Sequence, residues 1–142
     1  MLSKIFLASD HGGFELKEKV KSFLIDNNFE YEDLGCSSLE SVDYPDYAKL
    51  LSKKLKDKNN SMGILFCGTG IGISMAANRF PHIRAALCTS VEMASKSRKH
   101  NDANVLALGG RILEDKLALE IVKEFLHTDF EAGRHSLRVD KI

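Results

Sequence analysis

Residues 62–72, Met-Gly-Ile-Leu-Phe-Cys-Gly-Thr-Gly-Ile-Gly, restrict the possible folds more than any other stretch of the chain. A short apolar run, 64–66, ends at Cys67, and glycines follow at alternate positions, Gly68, Gly70 and Gly72. Residues 73–79 then read as a helix. A buried parallel strand feeding a tight turn and a helix start leaves several backbone N–H groups without helical partners. Those donors and the positive end of the helix dipole suit an anion. A cysteine at the mouth of such a turn sits where thiolate is favoured, as a nucleophile or a base. This is the layout of an active site.

The same alternation of strand and helix runs along the chain. Strands are expected at 4–9, 29–34, 84–88 and 104–108, besides the one ending at Cys67. Helical spacing of apolar residues marks 14–27 (Phe14, Leu16, Val20, Phe23, Leu24) and 114–126 (Leu117, Ile121, Val122, Phe125). Further helices are expected at 47–58, with Pro45 in the first turn, and at 91–99. Five strands alternating with helices predict an α/β fold: a parallel sheet covered on both faces, with the 29–34 strand nearer an edge. No linker, repeat or low-complexity segment divides the 142 residues, so 1–142 is expected to be one domain. In such folds ligands collect beyond the C-terminal ends of the strands. Asp10, His11, Cys67 and the turn after it should then face one crevice.

Charge excludes some partners. Lys and Arg number 20, as do Asp and Glu; no global field draws the chain to nucleic acid or to anionic lipid. No apolar stretch approaches the roughly 20 residues of a membrane span, and the N-terminus has no signal-peptide pattern. Three cysteines, without a Cys-x-x-Cys pair, argue against a disulfide framework or a zinc ribbon. A cytoplasmic setting is expected.

Commoner motifs fail at the glycine turn. The third glycine of G-x-G-x-x-G is Ile73 when counted from Gly68 and Met75 when counted from Gly70, and no phosphate loop of the G-x-x-x-x-G-K-[ST] type exists. Cys36 and Cys88 read as small buried hydrophobes; Cys67, at a strand end, reads as a reactive group. Asp10 either caps the following helix or serves the site, and His11 beside it suits a phosphate or hydroxyl contact. His100, with Asn101 and Asp102, reads from its surroundings as a helix C-terminus. Arg111 falls after the last strand, at the ligand end. Arg134 and Arg138 share a face if the C-terminus is helical, either as solvated surface or as a bidentate phosphate clamp.

Several fragments match one pattern in order: Ser9-Asp10-His11-Gly12-Gly13, Asp43-Tyr44-Pro45, Cys67-Gly68-Thr69-Gly70-Ile71-Gly72, residues 98–104 as Arg-Lys-His-Asn-Asp-Ala-Asn, Gly109-Gly110-Arg111, and Gly133-Arg134-His135 with Arg138. Over nearly its whole length the chain resembles the ribose-5-phosphate isomerase B family, which includes galactose-6-phosphate and allose-6-phosphate isomerases. The resemblance implies a Rossmann-like three-layer αβα sandwich, a homodimer or dimer of dimers with a shared active site, and no metal or organic cofactor. It implies aldose–ketose isomerisation through a cis-enediolate, with Cys67 as base and Thr69 orienting it. His100, from the partner chain, would open the sugar ring, assisted by Asp10. The amides of Gly68, Thr69, Gly70, Ile71 and Gly72 would hold the oxyanion. His11, Arg134 and Arg138 would bind phosphate, with Tyr44, Asn101 and Arg111 in support. One branch of the family carries a Glu base a few residues after the cysteine position; here Ile73 and Ser74 follow Gly72, which places the chain in the cysteine branch.

Ribose 5-phosphate is the expected substrate, in the pentose phosphate pathway. The alternatives are a six-carbon sugar phosphate or, from another class, a non-catalytic phosphate-binding module.

Overall fold

The computed structural model describes residues 2–142. The first half of the chain runs β1 (Lys4–Ser9), α1 (Phe14–Asp26), β2 (Tyr31–Asp33), α2 (Tyr44–Leu55) and β3 (Ser61–Cys67). The second half runs α3 (Ile71–Ala77), β4 (Ala85–Leu87), α4 (Val91–Asn101), β5 (Val105–Gly109), α5 (Asp115–His127) and α6 (Arg134–Val139). The strands form one parallel sheet in the order β2-β1-β3-β5-β4, with β2 at an edge as expected.

Alternation along the strands sorts the core into two layers. Ile5, Leu7, Ile64 and Phe66 face α1, α4 and α5, where they meet Val20, Leu24, Ala94, Ile121 and Phe125. Phe6, Ala8, Leu65 and Cys67 face α2 and α3, against Leu51, Leu55, Ile73 and Ala77. Every strand residue from Ile5 to Ala8 and from Gly63 to Cys67 is buried, the pattern of a sheet covered on both sides. The three-layer αβα sandwich implied by the resemblance is the observed architecture.

The chain goes from β1 outward to β2 and then returns to lay β3 on the other side of β1. That reversal opens a crevice at the C-terminal ends of β1 and β3, the place where ligands bind in open parallel sheets.

Element boundaries moved at the glycine turn. The helix expected from Ile73 begins at Ile71, so Ile71 and Gly72 belong to its first turn. Gly70 makes this possible: it adopts φ +80°, and a Cβ there would stand 2.6 Å from Leu87 Cδ1 and 2.9 Å from the Leu108 carbonyl carbon. The helix expected at 47–58 starts earlier, at Tyr44, with Pro45 in its first turn, and ends at Leu55. The strands expected at 29–34 and 84–88 shorten to three residues each, as suits edge positions.

Candidate active site

The first group of candidate site residues hangs from the strand ends. Asp10 follows β1; its Oδ1 accepts the Gly13 N–H at 3.1 Å, and its residue is 7% exposed. Asp10 does not cap α1, whose N-cap is Gly13 without a side-chain cap bond; its carboxylate instead closes the turn before the helix, which holds it at the crevice. Gly13 lets the turn press on β3, since a Cβ would stand 2.5 Å from the Phe66 carbonyl carbon. His11 Nδ1 accepts the Val42 N–H at 3.2 Å. In neutral imidazole the proton then sits on Nε2, leaving that atom as the free donor.

Cys67 ends β3, 5% exposed. Its Sγ accepts the Gly70 N–H at 3.1 Å, and the Thr69 hydroxyl accepts the Ile71 N–H at 3.1 Å. The Thr69 hydroxyl thus takes up the first amide of α3, whose N-cap is Gly70, and the donor that reaches the sulfur is an amide. The Gly68, Thr69 and Gly72 amides donate to no acceptor among the described residues. Tyr44 lies on Gly72, where a Cβ would meet its Oη at 2.8 Å. The Arg111 amide donates to the Gly68 carbonyl at 2.9 Å. Its guanidinium lies across Gly12, where a Cβ would be 3.4 Å from Cζ. Asp10, His11, Tyr44, Cys67, Gly68, Thr69, Gly70, Ile71, Gly72 and Arg111 therefore gather at one crevice.

The second group is at the other end of the sheet. Because α4 returns the chain from the top of β4 to the bottom of β5, its last residues, His100 and Asn101, lie near the N-terminal ends of the strands. From Gly63–Val105 to Cys67–Gly109 the ladder climbs four residue steps, about 13 Å at ~3.3 Å per residue. His100 lies below the bottom of that ladder. Arg98, 7% exposed, clamps this end: Nη1 donates to the Ala103 carbonyl at 2.6 Å and to Asp102 Oδ1 at 3.0 Å, and Nε to the Thr128 carbonyl at 3.0 Å. The C-terminus is helical, so Arg134 and Arg138 share a face of α6; both are exposed and unpaired among the described residues.

The other cysteines behave as packing groups. Burial pushes the Cys88 thiol up to about 11, with a Ser97 hydrogen bond opposing; the Cys36 thiol donates to the Ser38 carbonyl at 3.3 Å. A cavity of about 670 Å³ lined by Arg84, Arg98, Asp102 and Asn104 opens at the N-terminal end of the sheet. Its polar groups already bond to one another, Arg84 N–H to Asn104 Oδ1 at 2.8 Å among them. The sequence marks His135 only inside the Gly133-Arg134-His135 fragment, with no role of its own, and Glu131 not at all; the structure sets both beside His100.

A family model described as Ribose/Galactose Isomerase matches residues 5–142. The chain belongs to that family. It is 43% identical to ribose-5-phosphate isomerase B of Escherichia coli K12 over 141 residues, 99% of this chain and 95% of that one. Among solved structures, a ribose 5-phosphate isomerase from Thermotoga maritima matches at 52% identity and a TM-score of 0.95, covering 98% of this chain and 96% of that one. Ribose-5-phosphate isomerase B from Mycoplasma genitalium, with bound ribulose-5-phosphate, matches at 42% identity and a TM-score of 0.95, covering 99% and 95%. No helix of the described residues is long and apolar enough to cross a membrane.

Proposed function

We propose that the protein is a cytoplasmic aldose–ketose isomerase that interconverts ribose 5-phosphate and ribulose 5-phosphate, acting as a homodimer with shared sites. The observation that carries the substrate is the whole-length likeness to the Mycoplasma genitalium relative that holds ribulose 5-phosphate. The case for a second copy comes from topology: one chain holds Cys67 and His100 at opposite ends of its sheet. Exposed Ile71 and Met75 on α3, 46% and 66% exposed, flank the first group, and Leu137, 71% exposed, flanks the second. A second copy that brings α6 onto α3 covers this apolar surface and completes the site.

The chemistry follows from the groups that meet there. His100 of the partner subunit, with Asp10, moves the proton that opens the furanose. Cys67 takes the C2 proton of the open aldose, and the electrons collect on the C1 oxygen as an enediolate. The free Gly68, Thr69 and Gly72 amides, with the Thr69 hydroxyl, face that oxygen; one such donor is typically worth about 3–4 kcal/mol. The hydroxyl proton on O2 shifts to O1, and Cys67 returns its proton to C1, giving the ketose. The phosphate is remote from the reacting carbons and positions a flexible chain. His11 Nε2–H and the partner subunit's Arg134 and Arg138 hold it, with Tyr44, Arg111 and the partner subunit's Asn101 in support.

The test compares kcat/KM on ribose 5-phosphate, allose 6-phosphate and galactose 6-phosphate, with Cys67→Ala as control. The pentose should be preferred, and Cys67→Ala should lower kcat about 10²-fold or more. Turnover of a hexose phosphate alone would rename the substrate. Near-normal turnover by Cys67→Ala would remove it from the role of base.

A further inference from the structure

His100 does not stand alone at the end of α4. The ring of His135, from the first turn of α6, lies face to face with it, centroids 4.3 Å apart and planes 14° from parallel. Glu131 Oε1 stands 3.9 Å from Nε2 of both rings. The backbone fixes this cluster: the Glu131 N–H donates to the Lys99 carbonyl at 3.1 Å, and the His135 N–H to the Ala132 carbonyl at 3.1 Å. The His135 side chain is 10% exposed and that of His100 33%, so one ring forms a wall and the other is presented.

We propose that His135 is a positioning residue for His100: it is the flat plate that fixes the plane of the acid's ring, with the Glu131 carboxylate a looser neighbour at the ring's edge. This rests on the reading of His100 as the ring-opening acid. An imidazole turns about a broad, two-fold χ2 torsion, so its own rotamer preferences hold the ring plane poorly. Proton transfer needs the donor within about 2.6–3.2 Å of the sugar oxygen, and a misplacement of about 1 Å can cost 10²-fold. A parallel ring in contact with the acid removes most of that freedom.

The charges around the pair favour a stack. Burial, then His100 and Arg134, and more weakly Arg138, push the His135 pKa below its ordinary value, with Glu131 opposing. His135 therefore favours its neutral form, and two cations do not face each other. The same three residues are ligand types that zinc accepts, and their atoms lie within 4.8 Å of one another. A metal must lie near the plane of each imidazole that binds it, about 2.0 Å from the nitrogen. Two nearly parallel rings stacked face to face share no such point. The geometry is that of a support.

The experiment measures steady-state kinetics on ribose 5-phosphate for His100→Ala, His135→Ala, His135→Phe, Glu131→Gln and the double variant His100→Ala/His135→Ala. His135→Ala should lower kcat about 10- to 100-fold with KM within about 2-fold. His135→Phe, which keeps a plate, should recover most of the loss. Glu131→Gln should lower kcat less than His135→Ala does. The double variant should be no worse than His100→Ala, because both losses pass through one ring. Raised KM with unchanged kcat in both His135 variants would overturn the proposal and make His135 a phosphate contact. Additive losses in the double variant would overturn it too. Near-normal turnover by His100→Ala would instead remove the underlying reading, a separate result. If His135→Ala proves unfolded by circular dichroism, the Phe variant alone decides: a kcat loss as large as that of His100→Ala sinks the plate.

Discussion

At the C-terminal end of the sheet the functional groups hang from strands, whereas at the N-terminal end they hang from the last turn of α4 and from the short helix α6. In the first region the register of β1, β3 and β5 sets Asp10, Cys67 and Arg111 side by side, and glycines let the turns touch backbone to backbone. Buried ion pairing reinforces it: Lys17, fully buried, donates to both oxygens of Asp33 at 2.8 Å, and Lys21 joins at 3.0 Å. In the second region side chains join the elements, through the Arg98 clamp and the His100–His135–Glu131 cluster, beside the backbone bond from Glu131 to Lys99. The two ends therefore divide the labour. In the proposed homodimer, a rigid cradle would face the reacting carbons, and a side-chain assembly on the other copy would deliver acid and phosphate contacts.

The largest effect tests whether the two regions come from different chains. Cys67→Ala and His100→Ala chains should each be nearly inactive as homodimers. Co-expressed, about half of the dimers are mixed and about a quarter of all sites regain both residues. Recovered activity near that fraction supports a shared site; a mixture as dead as its parents would mean each chain completes its own. Next in size is Asp33→Asn, which strips the buried Lys17 of its anionic partner. It should destabilise the fold by about 3 kcal/mol in urea titration, with Cys67 chemistry intact in the fraction that folds. A loss under about 1 kcal/mol would show that Glu18, 3.9 Å from the Lys17 ammonium, suffices to hold it. Smaller again, Arg138→Ala should raise KM about tenfold with little change in kcat, as for a contact made equally in ground and transition states. A large kcat loss at unchanged KM would put this arginine at the reacting end.

The two regions also differ in how readily the sequence discloses them. Strand periodicity and the run Cys67-Gly68-Thr69-Gly70 located the first region, because a strand–turn–helix unit is a local object. Even there the start of α3 moved by two residues, since the left-handed Gly70 at the N-cap and the Thr69 hydroxyl on the Ile71 amide act ahead of any apolar periodicity. In the second region, spacing suggested the Arg134–Arg138 face only on condition of a helix. The stack of His135 on His100 joins residues 35 positions apart on different elements, and no local pattern encodes that. His100 gained a functional reading from the family resemblance alone; its local surroundings describe a helix C-terminus equally well. Nor did the buried Lys17–Asp33 pair announce itself, because a lysine in an amphipathic helix ordinarily reads as solvated.

The smallest prediction separates the regions by pH. Asp33 belongs to the first. Burial alone would raise its pKa, but the Lys17 hydrogen bond, the Gly35 N–H and Lys21 outweigh it and hold the carboxyl below its usual value. Its stabilisation is present above the unfolded value of about 3.9 and is lost as pH falls through the lower folded value. His135 belongs to the second. Its pKa is lowered too, chiefly by burial and then by His100 and Arg134. For a base the neutral form is then favoured in the fold, so stabilisation is present above about 6.5 and is lost as pH falls through the lower folded value. On acidification the packing of α6 on α4 should therefore weaken first, and the Lys17–Asp33 tie only in the carboxylate range. Melting temperatures from pH 7.5 to 5 should fall for the native chain and fall less for His135→Phe, which has no proton to take up. Parallel curves for the two proteins would mean that the proton sensed in this range binds elsewhere, and that the second region is held as firmly as the first.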